Sequence, residues 1–335
     1  MNENTKVVFY SEALVTDPIE GAQVVAGELA SHISRDHGGR IFSLNLASRF
    51  TTRMSHLVPR LPYKQIRRTG ITNVIYLPES GLTLGALVRA FILWNLLGRP
   101  CMDVVVLMQH LSPKGKYRFI IPNSWTFIVS TPSQAAALSQ ISNRIRYLLP
   151  RVSSSRVALS LSREVARVQC QIKSKMVFLH VGHAKAGRNL RSLEPLSDFG
   201  LLIVVLSPLF SEEPNALPEG PNVQIVRGKT DRISAFYRAS NVYVFPTHLD
   251  TEVIGIPMSI FEALANGIPV VARRSHSLER WSHLVDLYLV ETDEELTEIA
   301  IKIAARASDP QIVLATIQGC NGDLTVCCHQ SDEMV

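Results

Sequence analysis

No stretch of this 335-residue sequence is long and apolar enough to span a bilayer. The longest such stretch, Ala86 to Gly98 (ALVRAFILWNLLG), is short and carries Arg89 and Asn95, so it reads as a buried or interfacial helix. Five cysteines, an odd number without framework spacing, exclude a disulfide scaffold and point to reduced thiols in a cytosolic setting. The first residues, MNENTKVVFYSEAL, lack a basic segment followed by an apolar core, so no signal peptide is expected. No short internal repeat or low-complexity tract is present. The GKT triplet at Gly228 to Thr230 is not a P-loop, because Val223 stands where that motif needs its first glycine. No GxGxxG follows an expected strand either, which disfavours a nicotinamide or flavin enzyme. Acidic residues are absent between His37 and Pro78, while Arg40, Arg49, Arg53, Arg60, Lys64, Arg67 and Arg68 fall inside that interval.

What is present is an alternation of strands and helices in two halves. The expected strands are KVVFY, RIFSLN, NVIYL, DVVVLM and FIVST, then MVFLHV, LLIVVLS, VQIVR, NVYVF, PVVA and DLYLV. With hydrophobic residues at 46% and a net charge of +5, this predicts two doubly wound parallel-sheet α/β domains, Rossmann-like in plan, each burying its own core. The Ser/Arg-rich run PRVSSSRVALSLSRE reads as a linker leading into a helix. It sets domains at 1–150 and 151–308 and leaves 309–335 as a short tail. In that tail Cys327, Cys328 and His329 are adjacent, and adjacent residues cannot easily share one tetrahedral metal, so no metal site is expected.

The most informative segment runs from Asn241 to Ala272, NVYVFPTHLDTEVIGIPMSIFEALANGIPVVA. Its apolar β-rich start is a strand, and Pro257 suits a first helical turn. The helix runs through MSIFEALAN to Gly267, which suits the left-handed residue after a helix end, and a buried strand follows. Glu262 therefore sits about one turn inside a helix whose N-terminus opens at the carboxyl end of a strand. Open α/β sheets bind phosphorylated ligands there, because free amides and the helix dipole favour anions.

From Gly255 onward this segment resembles the "EGFGLPLLEAMACGLPVVA" stretch of the retaining glycosyltransferases of family 4, which have the GT-B fold. Glu262 matches the second glutamate of that stretch. Ile254 stands in place of the first, and Glu252 and Asp250 lie two and four residues earlier, Glu252 being the nearer substitute. The resemblance implies two Rossmann-like domains facing a cleft, and it gives Glu262 the donor ribose. The backbone of Gly255, Ile256, Pro257, Met258 and Ser259 falls to the donor phosphates.

Other segments follow the same pattern. MVFLHVGHAKAGRNL resembles the family's "GR" followed by "KG", which places Gly182 in the loop, His183 in the arginine slot and Arg188 in the lysine slot. Cations there suit a diphosphate leaving group, although a solvated basic loop is the plain alternative, and histidine does not keep arginine's permanent charge. VRGKTDRISAFYRASNVYVFPT resembles the run whose backbone, here from Gly228 to Thr230, borders the base. Gly21 and Ala22 match a "GG" that faces the donor diphosphate, or else they only allow tight helix packing. His110, after the strand DVVVLMQ, would position the acceptor hydroxyl or the transferring sugar, unless it is structural or solvated. After TDEELTEIAIKIAARASDP family members usually continue through further helices, and the tail here departs from that pattern.

The function so implied is transfer of a sugar, with retention, from a nucleoside diphosphate of UDP or GDP type to a glycan or lipid-linked acceptor, in cell-envelope or polysaccharide biosynthesis. No cofactor and no metal are implied. The basic interval 40–68, with Phe50, Met54 and Tyr63 interspersed, suits peripheral docking on an anionic inner leaflet, each cation near the surface adding roughly 1 kcal/mol. A solvated face or a site for an acidic glycan is equally compatible. No nucleic-acid module accompanies the charge. Two other readings stay open: a non-catalytic GT-B protein that binds a nucleotide sugar or a partner, and a sugar-nucleotide epimerase.

Overall fold

The computed structural model describes residues 7–11, 21–37, 40–43, 71–78, 82–107, 121–207, 213–247 and 255–307, apart from positions 149, 151, 153, 214 and 229. Its first half contains β1 (Val7–Ser11), α1 (Gly21–His37), β2 (Arg40–Ser43), β3 (Asn73–Leu77), α2 (Leu84–Leu96), β4 (Cys101–Val106), β5 (Trp125–Val129), α3 (Pro132–Ser139) and β6 (Ile145–Tyr147). These strands form one parallel sheet in the order β2-β1-β3-β4-β5-β6. The second half contains α4 (Arg163–Gln169), β7 (Val177–Gly182), 3-10 turns at Ala186–Arg188 and Leu190–Asp198, β8 (Leu201–Leu206) and β9 (Val223–Val226). It continues with α5 (Ile233–Ala239), β10 (Val242–Phe245), α6 (Met258–Ala265), β11 (Val270–Arg273), α7 (His276–Glu279), β12 (Leu287–Val290) and α8 (Asp293–Ala307). Its parallel sheet runs β12-β11-β10-β7-β8-β9.

Strands such as LLIVVL and VYVF are apolar along their whole length because helices cover both faces of each sheet. All the expected strands are found, with ends displaced by a residue or two. The short edge strand β6, Ile-Arg-Tyr with two exposed residues, has neither an apolar run nor alternation to announce it. In α6 Pro257 is the N-cap, so the helix starts one residue later than its proline suggests. Its other end is a Schellman turn: Ile268 N–H donates to the Ala263 carbonyl and Gly267 N–H to the Leu264 carbonyl, with Gly267 at φ +68°.

The segment joining the domains is fastened down. The Asn266 side chain accepts from the Ala158 amide and donates to the Arg156 carbonyl, and Arg238 donates to the Leu161 carbonyl. The domains also share a core, in which Phe9, Val25 and Leu107 pack in one cluster with Ile256, Ile260 and Phe261. Helix α1 meets α6, and α3 meets α7.

In each sheet the strand order reverses once, between β1 and β3 in the first and between β7 and β10 in the second. Chain connections leave in opposite directions at such a point and open a crevice at the carboxyl ends of the strands, where α/β proteins bind ligands.

Candidate functional site

The second crevice gathers most of the residues that the sequence singles out. The Tyr243 hydroxyl, on β10, lies 3.2 Å from the Val181 carbonyl oxygen at the end of β7 and 2.8 Å from Ser259 Oγ in the first turn of α6. One side chain thus ties the N-terminus of α6 to the end of β7. Beyond β7 come Gly182, His183 and Lys185, then the 3-10 turn ending at Arg188. Thr247, just after β10, donates to the Arg188 carbonyl, and the Ala186 amide donates to the Glu213 carboxylate. Asn189, left-handed at φ 55°, ends the turn and donates to Asp293. The sequence brings the loop here because β7 is wholly apolar except for His180, and its register with β8 carries it to Gly182.

The electrostatics of this loop are not those of a fixed pair of cations. Burial, then Arg188 and Lys185, hold His183 down to about 4, so in the unliganded protein it is neutral near pH 7 and Arg188 carries the permanent charge. Below them His180 is fully buried and is also held to about 4, chiefly by burial.

Glu262 is 4% exposed. The Tyr237 hydroxyl of α5 donates to its Oε2 at 2.9 Å, and Arg156 Nε, from the connecting segment, lies 4.0 Å from Oε1. Burial raises its pKa against the opposing pull of Arg156 and Tyr237. The carboxylate expected to meet a ribose is therefore already held by two protein groups. Sequence reasoning missed both, although Tyr237 stands at helical spacing in SAFYRAS, a usable signal.

Gly255 requires a correction. Its N–H donates to the Leu107 carbonyl of the first domain at 2.9 Å rather than facing the crevice. A Cβ at this position would lie 1.9 Å from Ser130 Oγ and 3.1 Å from Thr131 Cγ2, so the glycine lets the two domains touch. Pro257 has no amide hydrogen, and Ile256 and Met258 bury their side chains in the core. Of the five residues expected to line the donor phosphates, Met258 and Ser259 offer first-turn amides that have no acceptor within their own helix.

Gly182 is also explained from within, since a Cβ there would lie 2.7 Å from His180 Nε2. Gly228 has φ +85°, and among the described residues nothing lies within 4 Å of a built Cβ. Gly21 and Ala22 open α1, the helix that follows β1 at the first crevice. The basic interval begins inside the sheet, as Arg40 to Ser43 form β2. The rest of that interval to residue 68, with His110, Glu252, Asp250, Ile254 and the 309–335 tail, lies outside the described residues. Among the described residues no group of three or more His, Cys, Asp or Glu could hold a metal ion, and no helix is long and apolar enough to cross a membrane.

Comparison with known proteins bears on the fold and on the second half of the chain. The family model described as "Glycosyl transferases group 1" matches residues 161–309, the half that carries the second crevice. No curated protein sequence matches the chain. Among solved structures, the chain is similar to the α,α-trehalose 6-phosphate synthase of Burkholderia multivorans (TM-score 0.58, 12% identity, 96% of this chain and 94% of that one). It is likewise similar to a UDP-forming α,α-trehalose-phosphate synthase of Burkholderia xenovorans (0.57, 10%, 94% and 94%). A third is the N-terminal domain of the Candida albicans trehalose-6-phosphate phosphatase (0.53, 10%, 92% and 95%). At such identities the likeness establishes the fold. The chain has the GT-B fold, and over residues 161–309 it is similar to the glycosyl transferases of group 1.

Proposed function

We propose that the protein is a retaining glycosyltransferase of family 4 type that takes its sugar from a nucleoside diphosphate of UDP or GDP type. The observation that carries this reading is the clasp at the second crevice. Tyr243 joins the end of β7 to the first turn of α6, so the cation of Arg188 and the first-turn amides of α6 belong to one anion site. In this reading Arg188 and those amides neutralise the diphosphate as it leaves, a part that the protein then plays without a metal. His183 joins them when the ligand's charge draws a proton onto it. Glu262, steadied by Tyr237 and Arg156, meets the ribose, and the backbone from Gly228 to Thr230 borders the base.

The step is a front-face displacement. The bond from the anomeric carbon to the diphosphate oxygen breaks as the bond to the acceptor oxygen forms on the same face, and the acceptor proton passes to the departing phosphate. The acceptor, a glycan or lipid-linked sugar of cell-envelope or polysaccharide synthesis, would bind the first domain near His110, while Gly21 and Ala22 would face the donor diphosphate across the cleft. The basic interval to residue 68 would rest on the inner membrane face of the cytoplasm.

The test is the shift of the unfolding midpoint with UDP, GDP, ADP, dTDP and NAD. Ligand at about a hundredfold its dissociation constant adds roughly 2.7 kcal/mol, or a few degrees. One diphosphate should stabilise the protein, and Arg188→Ala should lose the shift. A second reading, a GT-B protein that binds without turnover, is favoured by the Gly255 amide being spent on Leu107. Absence of donor hydrolysis alongside tight nucleotide binding would select it.

A further inference from the structure

At the second crevice the ladder between β7 and β10 comprises only Val242↔Phe178 and Tyr243↔Leu179, whereas β7 stays paired with β8 as far as Gly182. The last turns of β7 therefore face β10 without a full set of backbone bonds. Two side chains cross that opening. Tyr243 reaches from β10 to the Val181 carbonyl, and His180 reaches from β7 to β10, its Nδ1 lying 2.9 Å from the Val244 carbonyl. A carbonyl only accepts, so Nδ1 carries the hydrogen and Nε2 is left with its lone pair. Nε2 is fully buried and has no hydrogen-bond partner among the described residues. It lies against Gly182, where a built Cβ would approach it to 2.7 Å.

His180 has apolar neighbours. The buried rings of Tyr243 and Phe245 each have centroids 6.1 Å from that of His180, Tyr243 stacked and Phe245 tilted. A leucine or phenylalanine would remove the unpaired ring nitrogen but leave the buried Val244 carbonyl without its donor, each at a cost of about 1–3 kcal/mol, so the exchange is about even for stability. Stability alone therefore does not account for the imidazole. The ring does two things that an aliphatic side chain cannot. It fixes the spacing of β7 and β10 through Val244, and its flat edge sets the backbone of Gly182, the residue immediately before His183 and six before Arg188.

We infer that His180 is a positioning residue of the donor site, which holds Gly182 and thereby the cationic loop from His183 to Arg188 against the diphosphate. The inference rests on the proposed donor site. His180 does not itself touch the ligand; it acts through the loop.

The experiment measures the dissociation constants of UDP and GDP by titration calorimetry for the wild type, His180→Leu, His180→Asn and Gly182→Ala, with unfolding midpoints for each. His180→Leu should weaken the preferred nucleotide about tenfold, the worth of one misaligned charge-assisted contact. Its midpoint should stay about level, because the unpaired ring nitrogen is removed while the buried Val244 carbonyl loses its donor. His180→Asn keeps a donor for the Val244 carbonyl and should recover affinity to within about threefold. Gly182→Ala, whose methyl pushes on the ring, should weaken binding as His180→Leu does, and it serves if the leucine variant does not fold. Unchanged affinity in both His180→Leu and Gly182→Ala, with a bound nucleotide in the wild type, overturns the positioning role and leaves the donor reading standing. A wild type that binds neither nucleotide overturns both.

Discussion

The two domains follow one plan and finish it differently. In each, a parallel sheet reverses its strand order once and opens a crevice there, but the described residues at the two crevices have little in common. In the second, the strand ends are cross-braced by His180 and Tyr243, and the loop beyond carries Arg188, His183 and Lys185. In the first, β1 and β3 end in the buried Ser11 and Leu77, and α1 opens on Gly21 and Ala22. The matched family model covers residues 161–309, the half that carries the braced crevice.

Removing the charge tests the comparison most severely. Arg188→Ala should weaken the preferred nucleoside diphosphate at least about a hundredfold, since two charge-assisted contacts at ~1.5 kcal/mol each are lost. Alanine at Ser11, the buried end of β1 at the first crevice, should leave nucleotide affinity within about threefold. Equal losses at both crevices would refute the division of labour.

The next effect separates the domains by pH. His180 and His183 are held to about 4 in the folded protein against an ordinary 6.5. Between these values the unfolded chain binds protons that the folded one refuses. Their contribution is thus complete above pH 6.5 and is lost as the pH falls toward 4, on the order of 3 kcal/mol for His180. Glu262, whose pKa is raised by burial, works in the opposite sense above its ordinary 4.5. The difference between wild type and His180→Asn isolates the histidine: the variant's midpoint should fall less between pH 7 and 5. Parallel curves would mean that His180 is not held neutral.

These contrasts were legible in the sequence to different depths. The α6 segment could be read because Pro257 and Gly267 punctuate it and an apolar strand follows, all within a few turns of chain. The loop that holds Arg188 and His183 could be placed after β7 because the apolar run VFLHV marks the strand, while the roles of the two side chains come from the resemblance alone. His180 could not be found, since a lone histidine in FLHV is indistinguishable from a core residue until Val244, 64 positions away, is brought beside it. The resemblance gives the Gly255 amide to the donor phosphates, and the fold turns that amide to the Leu107 carbonyl and leaves room beside the glycine for Ser130 of the other domain. Contacts between elements distant in the chain decide such cases, and local pattern carries no trace of them.

The Gly255 contact yields a third prediction. Gly255→Ala puts a methyl into Ser130, which is buried and bound to Gln134, so the domains must part or the core must strain. A loss of about 1–3 kcal/mol in stability is expected. Small-angle scattering should show a larger radius of gyration if the strain is relieved by opening. An unchanged radius with full stability would mean that the contact does not hold the halves together.

The smallest effect concerns Glu262. Tyr237→Phe removes one donor from a carboxylate that remains buried and faces Arg156. The unpaired oxygen should cost about 1–2 kcal/mol and raise the carboxyl pKa further, because burial already favours the protonated form. If the ribose supplies the missing hydrogen bond, nucleotide binding should restore part of that stability, and the midpoint shift with ligand should be larger in Tyr237→Phe than in the wild type. If Glu262 serves only the packing of α5 against α6, the ligand-induced shift should be the same in both proteins. A shift confined to variants of the second domain would then place nucleotide recognition there through Glu262 as well as Arg188, leaving the first domain free to differ among relatives in what it accepts.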